Sequence, residues 1–427
     1  MTNAIPTYDS AESLRKGQRF SEAAEQFAQL WLEKQVPSIG WRYAICLRKL
    51  GKLDEAGQVI QDALSKFPDD KMTKSEFGWF LYEKELKPAK EESDLGRAIH
   101  FANEILILNS DALAVKVVSL AVMKVAKGKK KWDVVLEWAN KLKPEELDNV
   151  PKTFDGKRGM SDRETWYVNK AKALLETGNF EESRAFAQNG SQEFPNELFL
   201  ARTAALALSR MGDIDGAANE LYALLSHPRA DWYVKSDLAE LEFARGDSAE
   251  AYRLMCDAAS NSNDDEYKLK IFVTLGQIAL SLGRNDVAAE HVELAKAVRN
   301  KNNWSIPAEL LQLEKVTKEL LAESGQTWPD LPDDANALSK ICHQRWREGK
   351  LEGQEFIKGT LGPIRPDKPF SFIRRDDGGE NVFVIIRDIP RRCAQEGARL
   401  EFTLKKSFDK KKNRESVQAA NVQCIKD

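Results

Sequence analysis

The side chains of this sequence that could do chemistry are mostly basic, and they crowd one end. From Glu355 to Asp427 there are 16 Lys and Arg against 11 Asp and Glu, a net of +5; the residues before Glu355 carry 48 against 56, a net of −8, within an overall −3. Arg365, Lys368, Arg374 and Arg375 supply part of this charge, and a second group, Lys405, Lys406, Lys410, Lys411, Lys412 and Arg414, supplies half of the rest. Ammonium and guanidinium groups gathered in this way attract phosphate, so a polyanion is the expected partner of the C-terminal end.

Catalytic chemistry is not expected. The sequence has no G-x-x-x-x-G-K-[ST] phosphate loop, no H-E-x-x-H pair and no G-x-S-x-G turn. His100, His227, His291 and His343 fall mostly in helical segments without metal-ligand spacing, and Cys342 and His343, adjacent on a helix, point apart. The pairs Asp264-Asp265 and Asp376-Asp377 fall in turns and read as solvated acids. The expectation is a non-enzymatic protein with no cofactor, no metal and no small-molecule substrate. Five cysteines, Cys46, Cys256, Cys342, Cys393 and Cys424, form an odd, dispersed set. That argues against a disulfide framework and for a reducing compartment, with the cytoplasm as default. No apolar run approaches the roughly 18–20 residues that span a bilayer, and Met1–Ser10 has neither the basic start nor the apolar stretch of a secretory signal.

The elements that must position these residues are helical over most of the chain, and they repeat. Gly178, Gly212 and Gly246 are 34 residues apart, Gly283 follows 37 later, and Gly51 opens an earlier copy. Around each, small residues recur in register: Ala44, Ala56 and Ala63; Ala171, Ser183, Ala187 and Gly190; Ala205 and Ala217; Ala239, Ala251 and Ala258; Gly276, Ala288 and Ala295. Two antiparallel helices crossing closely need small residues where their backbones approach, and a glycine lets the chain turn after the first helix. On these positions the sequence resembles tetratricopeptide-repeat proteins. The resemblance implies an all-α superhelical solenoid of about eight helical hairpins from Ser10 to Asn300, with Ser305–Ser324 as a capping helix, so that the solenoid fills residues 1–324. An insertion around Lys87–Ser93 and a long loop at Pro144–Arg163 interrupt the spacing, and Gly128–Lys131 makes the turn of the fourth hairpin. By repeat register, first-helix side chains on the groove include Trp41, Arg48, Lys172, Arg202 and Arg210, which would receive a protein segment that is acidic or ends in a carboxylate. Residues 325–354 read as a linker, Gln326–Asp334, followed by a short helix with Leu338, Cys342 and Trp346 on one face.

From Glu355 the period changes to alternation, with strands expected at Phe356–Leu361, Phe370–Arg374, Asn381–Ile386, Arg399–Lys405 and Val417–Cys424. Five short strands in about 70 residues suit a small all-β OB-type barrel over 355–427. Gly359-Thr-Leu361, Lys368-Pro-Phe-Ser-Phe-Ile373, Asn381-Val-Phe-Val-Ile-Ile386, Gly397, Leu400-Glu-Phe402 and Ala420-Asn-Val422 together resemble the cold-shock domain family. The resemblance implies that Phe370, Phe372 and Phe383 stack the bases of RNA or single-stranded DNA, aided by the basic residues above. The family's tryptophan and three other ring-bearing positions are here Pro363, Ile364, Ile385 and Ile386. Two readings follow. In the first, the chain is an adaptor whose solenoid holds a protein and whose barrel touches single-stranded nucleic acid. In the second it is a protein-only scaffold, with Ile364, Ile385 and Ile386 forming an apolar protein contact.

Overall fold

In a computed structural model of the chain, residues 6–154, 156–227, 229–409 and 414–425 are described. The chain divides into two compact units, Met1–Met211 and Gly212–Asp427.

The first unit is a row of antiparallel helical pairs: Tyr8–Lys16 with Phe20–Glu33, Pro37–Lys49 with Leu53–Lys66, Lys71–Leu81 with Leu95–Leu108, Ala112–Gly128 with Trp132–Ala139, and Asp162–Glu176 with Phe180–Glu193, followed by Leu198–Arg210. The turns between partners share one geometry. After Pro37–Lys49, the Lys52 amide donates to the Leu47 carbonyl at 3.0 Å while Gly51 takes a φ of 75°. Asn179 donates to Leu174 at 2.9 Å around Gly178, at φ 85°. This closure satisfies helix carbonyls that would otherwise lack partners, and it needs a left-handed residue at its centre. Small residues then admit the partner helix: a Cβ on Gly190 would lie 2.9 Å from the Tyr167 ring and 3.0 Å from Leu200.

The fourth pair departs from this chemistry. Gly128 ends its helix, and Lys130 takes the left-handed conformation, at φ 55°, while Lys131 donates to Ala126 at 2.9 Å. An L-residue held there costs about 1–2 kcal/mol, part of which glycine returns through its freer unfolded chain. Lys130→Gly is therefore expected to stabilise the first unit by about 0.5–1 kcal/mol, read as a higher thermal midpoint; an unchanged or lower midpoint would refute this.

Where the sequence suggested an insertion around Lys87–Ser93, the helix instead runs on. Tyr82–Leu86 is a π-helical turn and Lys87–Glu91 continues as α-helix, burying Leu86 and Ala89 completely. The long loop after Trp132–Ala139 carries a 3-10 turn at Pro144–Glu146 and a two-residue ladder pairing Thr153 with Arg158. A capping box of Ser161 and Glu164 restarts the helix behind it.

In the second unit, Ile214–Leu224 precedes the pairs Trp232–Ala244 with Ser248–Ala259 and Leu269–Ser281 with Asn285–Lys301, then Ala308–Glu323. Ala335–Gly349 packs on Asn285–Lys301 and Ser248–Ala259 and belongs to the core. Leu338, Cys342 and Trp346 are all buried, and the Trp346 ring stacks on Phe272 at 5.6 Å and 14°. The same element order, taken over both units, contains eight helix–turn–helix segments between Tyr8 and Lys301. No helix among the described residues is long and apolar enough to cross a membrane.

The C-terminal strands β1 (Ile357–Leu361), β2 (Phe370–Arg375), β3 (Val382–Ile385), β4 (Arg399–Asp409) and β5 (Arg414–Cys424) close a barrel in the order β1-β2-β3-β5-β4. All pairings are antiparallel except β3 with β5, which is parallel and rests on the pair Phe383 and Gln418. Alternation fills the interior with Leu361, Ile373, Val382, Val384, Leu400 and Phe402. The absence of disulfides expected from the odd cysteine count is corrected here: Cys393 is bonded to Cys424 across 31 residues, tying a 3-10 turn to the end of β5, while Cys46, Cys256 and Cys342 stay free and buried. Sequence spacing could not show that two cysteines so far apart share one end of a barrel.

Candidate nucleic-acid interface

Strand parity decides which way the phenylalanines point. Ser371 and Ile373 on β2, with Val382 and Val384 on β3, face the interior, which leaves Phe370, Phe372 and Phe383 outside. Phe372 lies directly across from Phe383 in the ladder, and Phe370 across from Ile385. The three rings form one cluster: Phe370 and Phe383 are 5.3 Å apart and tilted by 35°, and Phe372 stands edge-on to both at 6.1 and 6.0 Å. Phe372 is 46% exposed; Phe370 and Phe383 are half-buried by their neighbours in the cluster. None of the three contributes to the barrel interior. Solvent-facing aromatic faces on a sheet are platforms on which flat apolar groups, bases included, can stack.

Charge surrounds this platform unevenly. The Lys368 ammonium sits 5.8 Å from the Phe370 ring centre. Arg374 is exposed and lines an open cleft of about 870 Å3 with Thr360, Pro363, Phe372, Glu380, Asn381 and Glu396. Arg365 is exposed beyond the cleft, and Lys405 on β4. Arg375, by contrast, is held by Asp377, with Nε donating at 2.8 Å, so its charge is already answered. Arg399, outside the predicted set, donates likewise to Asp376 at 2.8 Å and holds that carboxyl below its ordinary range. Asp376 and Asp377 are exposed in a turn, as the sequence reading has them, and each is also ion-paired. Glu380 and Glu396 put carboxylates on the cleft rim that a count of basic residues alone overlooked. Lys410, Lys411 and Lys412 lie outside the described residues, and the side chains of Lys406 and Arg414 are likewise undescribed. Ile364 packs partly against the barrel core, and Ile385 and Ile386 are half-buried.

The groove positions expected in the first unit separate into two groups. Trp41 is only 8% exposed, with the Arg42 guanidinium 3.7 Å above its ring, and therefore belongs to the core. Arg48 turns toward the next helical pair and grips Glu76 with both prongs, at 2.7 and 2.9 Å, both side chains nearly excluded from water. These two placements on the groove are corrected: Trp41 is buried beneath Arg42, and Arg48 is engaged by Glu76 of the succeeding pair. Lys172 is half-buried and pairs with Glu176 at 2.6 Å; Arg202 is half-buried and engaged; Arg210 is exposed.

Residues 8–71 match a family described as tetratricopeptide repeat, and residues 198–322 match one described as a domain of unknown function (DUF7017). No curated protein matches the chain. Similar solved structures include a tetratricopeptide repeat protein from Parabacteroides merdae, 15% identical, with 64% of this chain and 96% of that chain covered at a TM-score of 0.31. They also include Naa15/Naa10 bound to HypK-THB, 14% identical over 80% of this chain and 50% of that one at 0.42. A human IFIT1 dimer with m7Gppp-AAAA is 14% identical over 74% and 71% at 0.37. Likenesses this distant carry no statement about function. Tetratricopeptide arrays are generally non-catalytic scaffolds for protein partners. The chain carries tetratricopeptide repeats in a helical solenoid and ends in a closed five-stranded β-barrel.

Proposed function

We propose that the protein is a non-enzymatic adaptor whose solenoid holds a protein partner and whose barrel, an OB-type, cold-shock-like domain over 355–427, binds single-stranded nucleic acid. The observation that carries the second half is the outward cluster of Phe370, Phe372 and Phe383 with Lys368 and Arg374 beside it. The rings would stack bases, and the two cations would sit against the phosphates that follow them. The strand order β1-β2-β3-β5-β4 supports the OB-type reading, since such barrels bind through the face of β2 and β3. On the solenoid, Lys172, Arg202 and Arg210 remain as the basic positions for an acidic partner segment.

Fluorescence anisotropy of the full chain with a labelled single-stranded RNA, at three salt concentrations, tests the barrel. Phe370→Ala with Phe383→Ala is expected to weaken binding by about 1–3 kcal/mol for each base that loses its platform, at every salt concentration. Lys368→Gln with Arg374→Gln is expected to leave binding at high salt nearly unchanged and to flatten the log–log salt slope by about 0.7 for each lost phosphate contact. Absence of binding by the unaltered protein at low salt would reject this function and favour the protein-only scaffold, with the same rings and Ile385 as its contact.

A further inference from the structure

The two places where the repeat spacing breaks in the first unit frame one concave basin of about 590 Å3. The π-helical turn contributes Tyr82 and the helix continuing from it Lys90; Ala112–Gly128 contributes Lys116, Val117, Leu120, Ala121, Lys124 and Lys127; the long loop adds Lys152 and Met160, and the helix behind it Asp162, Thr165 and Asn169. Lys116, Leu120, Lys124 and Lys127 recur at helical spacing, so one face of one helix delivers three ammonium groups to one hollow. Such like charges repel each other by a few tenths of a kcal/mol per pair when nothing lies between them.

Acidic side chains answer only part of this charge. Lys116 is paired with Asp148 at 2.6 Å, and Lys152 with Asp162. Lys90, Lys124 and Lys127 make no ion pair among the described residues. The surrounding walls push the Lys127 ammonium below its ordinary pKa, although the residue remains solvent-accessible, and no carboxylate opposes that effect. A second, independent observation points the same way. Asn169, whose relative exposure is 5%, lines the basin wall, and its side-chain amide makes no hydrogen bond among the described residues. That amide is not sealed from the basin, so its donor and acceptor are free to meet a ligand there. Apart from Thr165, the remaining wall, Tyr82, Val117, Leu120, Ala121 and Met160, is apolar or aromatic.

We propose that this basin binds a nucleoside polyphosphate, with Lys90, Lys124 and Lys127 around the phosphates, Asn169 as a polar anchor, and the nucleoside against the apolar wall. Lysines act as mobile point charges, and several converging on one hollow suit the clustered charge of a polyphosphate better than a single carboxylate. The site does not depend on the barrel or on any partner of the solenoid.

Isothermal titration calorimetry of the full chain with ATP, inorganic tripolyphosphate and citrate tests it. ATP is expected to bind most tightly, tripolyphosphate more weakly, and citrate not measurably. Lys124→Gln should weaken ATP binding about tenfold, the Lys90, Lys124 and Lys127→Gln triple variant about 100-fold or more, and Asn169→Ala several-fold. Lys124→Arg should keep most of the affinity. Far-ultraviolet circular dichroism confirms that each variant is folded, and Lys315→Gln, at an exposed position of Ala308–Glu323, should leave ATP binding unchanged. Equal binding of ATP and tripolyphosphate, comparable binding of citrate, or full affinity in the folded triple variant would overturn the proposal.

Discussion

Trp346→Ala is expected to lower the unfolding free energy of the second unit by about 3–5 kcal/mol. The indole is fully buried, stacked on Phe272, and its Nε1 donates to His291 Nε2 at 2.9 Å. Truncation removes the ring contacts, leaves a cavity between two helices and strands the imidazole acceptor. Trp346→Phe keeps the stacking and loses only the hydrogen bond, so a cost nearer 1–2 kcal/mol is expected. Urea denaturation followed by circular dichroism measures both; near-equal costs for the two variants would mean that the hydrogen bond, and not the packing, holds this core. The same site gives the unit a pH dependence. His291 Nδ1 lies 2.8 Å from the Val287 carbonyl, and burial holds its pKa at about 4, against an ordinary 6.5. The unfolded imidazole takes up a proton as pH falls through 6.5, while the folded one resists until about 4. Stability is therefore full above that window and declines across it, by as much as about 3 kcal/mol from this group.

Arg48→Ala is expected to cost about 3–5 kcal/mol in the first unit, because it leaves the Glu76 carboxylate buried without its partner. Glu76 is 3% exposed, and burial already pushes its pKa up, with the Arg48 guanidinium opposing that shift. Without the guanidinium the carboxyl would take up a proton instead of holding a bare charge. The penalty should accordingly be larger at pH 8 than at pH 5. Arg48→Met with Glu76→Met removes both charges and fills similar volume, and it should recover most of the loss. A double variant as unstable as Arg48→Ala would show that the pair itself, beyond the cost of an orphaned charge, stabilises the fold.

That arginine also marks the limit of what the sequence shows. Repeat register correctly places Arg48 on the first helix of its pair, but a long polar side chain there can reach the groove or the next pair. Glu76, 28 residues on, decides between them, and no local pattern connects the two. Trp41 is buried with the guanidinium of its chain neighbour Arg42 over its ring, a burial that repeat register does not report. Alternation, by contrast, is local, and so all five strands were readable from residue order, while the outward direction of Phe370, Phe372 and Phe383 came only from the cold-shock resemblance. The face of Leu338, Cys342 and Trp346 was legible as a helical stripe, although its role as core and not as linker was not, because Phe272 and His291 lie far away in sequence. Lys90, Lys124, Lys127 and Asn169 match no motif. They meet only because the chain bends at a π-helical turn and returns through an irregular loop.

The barrel's closing seam, one parallel pair between Phe383 and Gln418, has a mechanical meaning. Beside the long ladder joining β4 to β5, that seam makes the barrel a curled ribbon fastened by a single clasp. A one-pair seam has fewer backbone hydrogen bonds to lose than the ladders on either side of it. Phe383 rides on the clasp, whereas Phe370 and Phe372 ride on the neighbouring strand. Because β3 keeps its four-pair ladder with β2 when the clasp opens, the three rings stay together, and it is the β5 edge that parts from them.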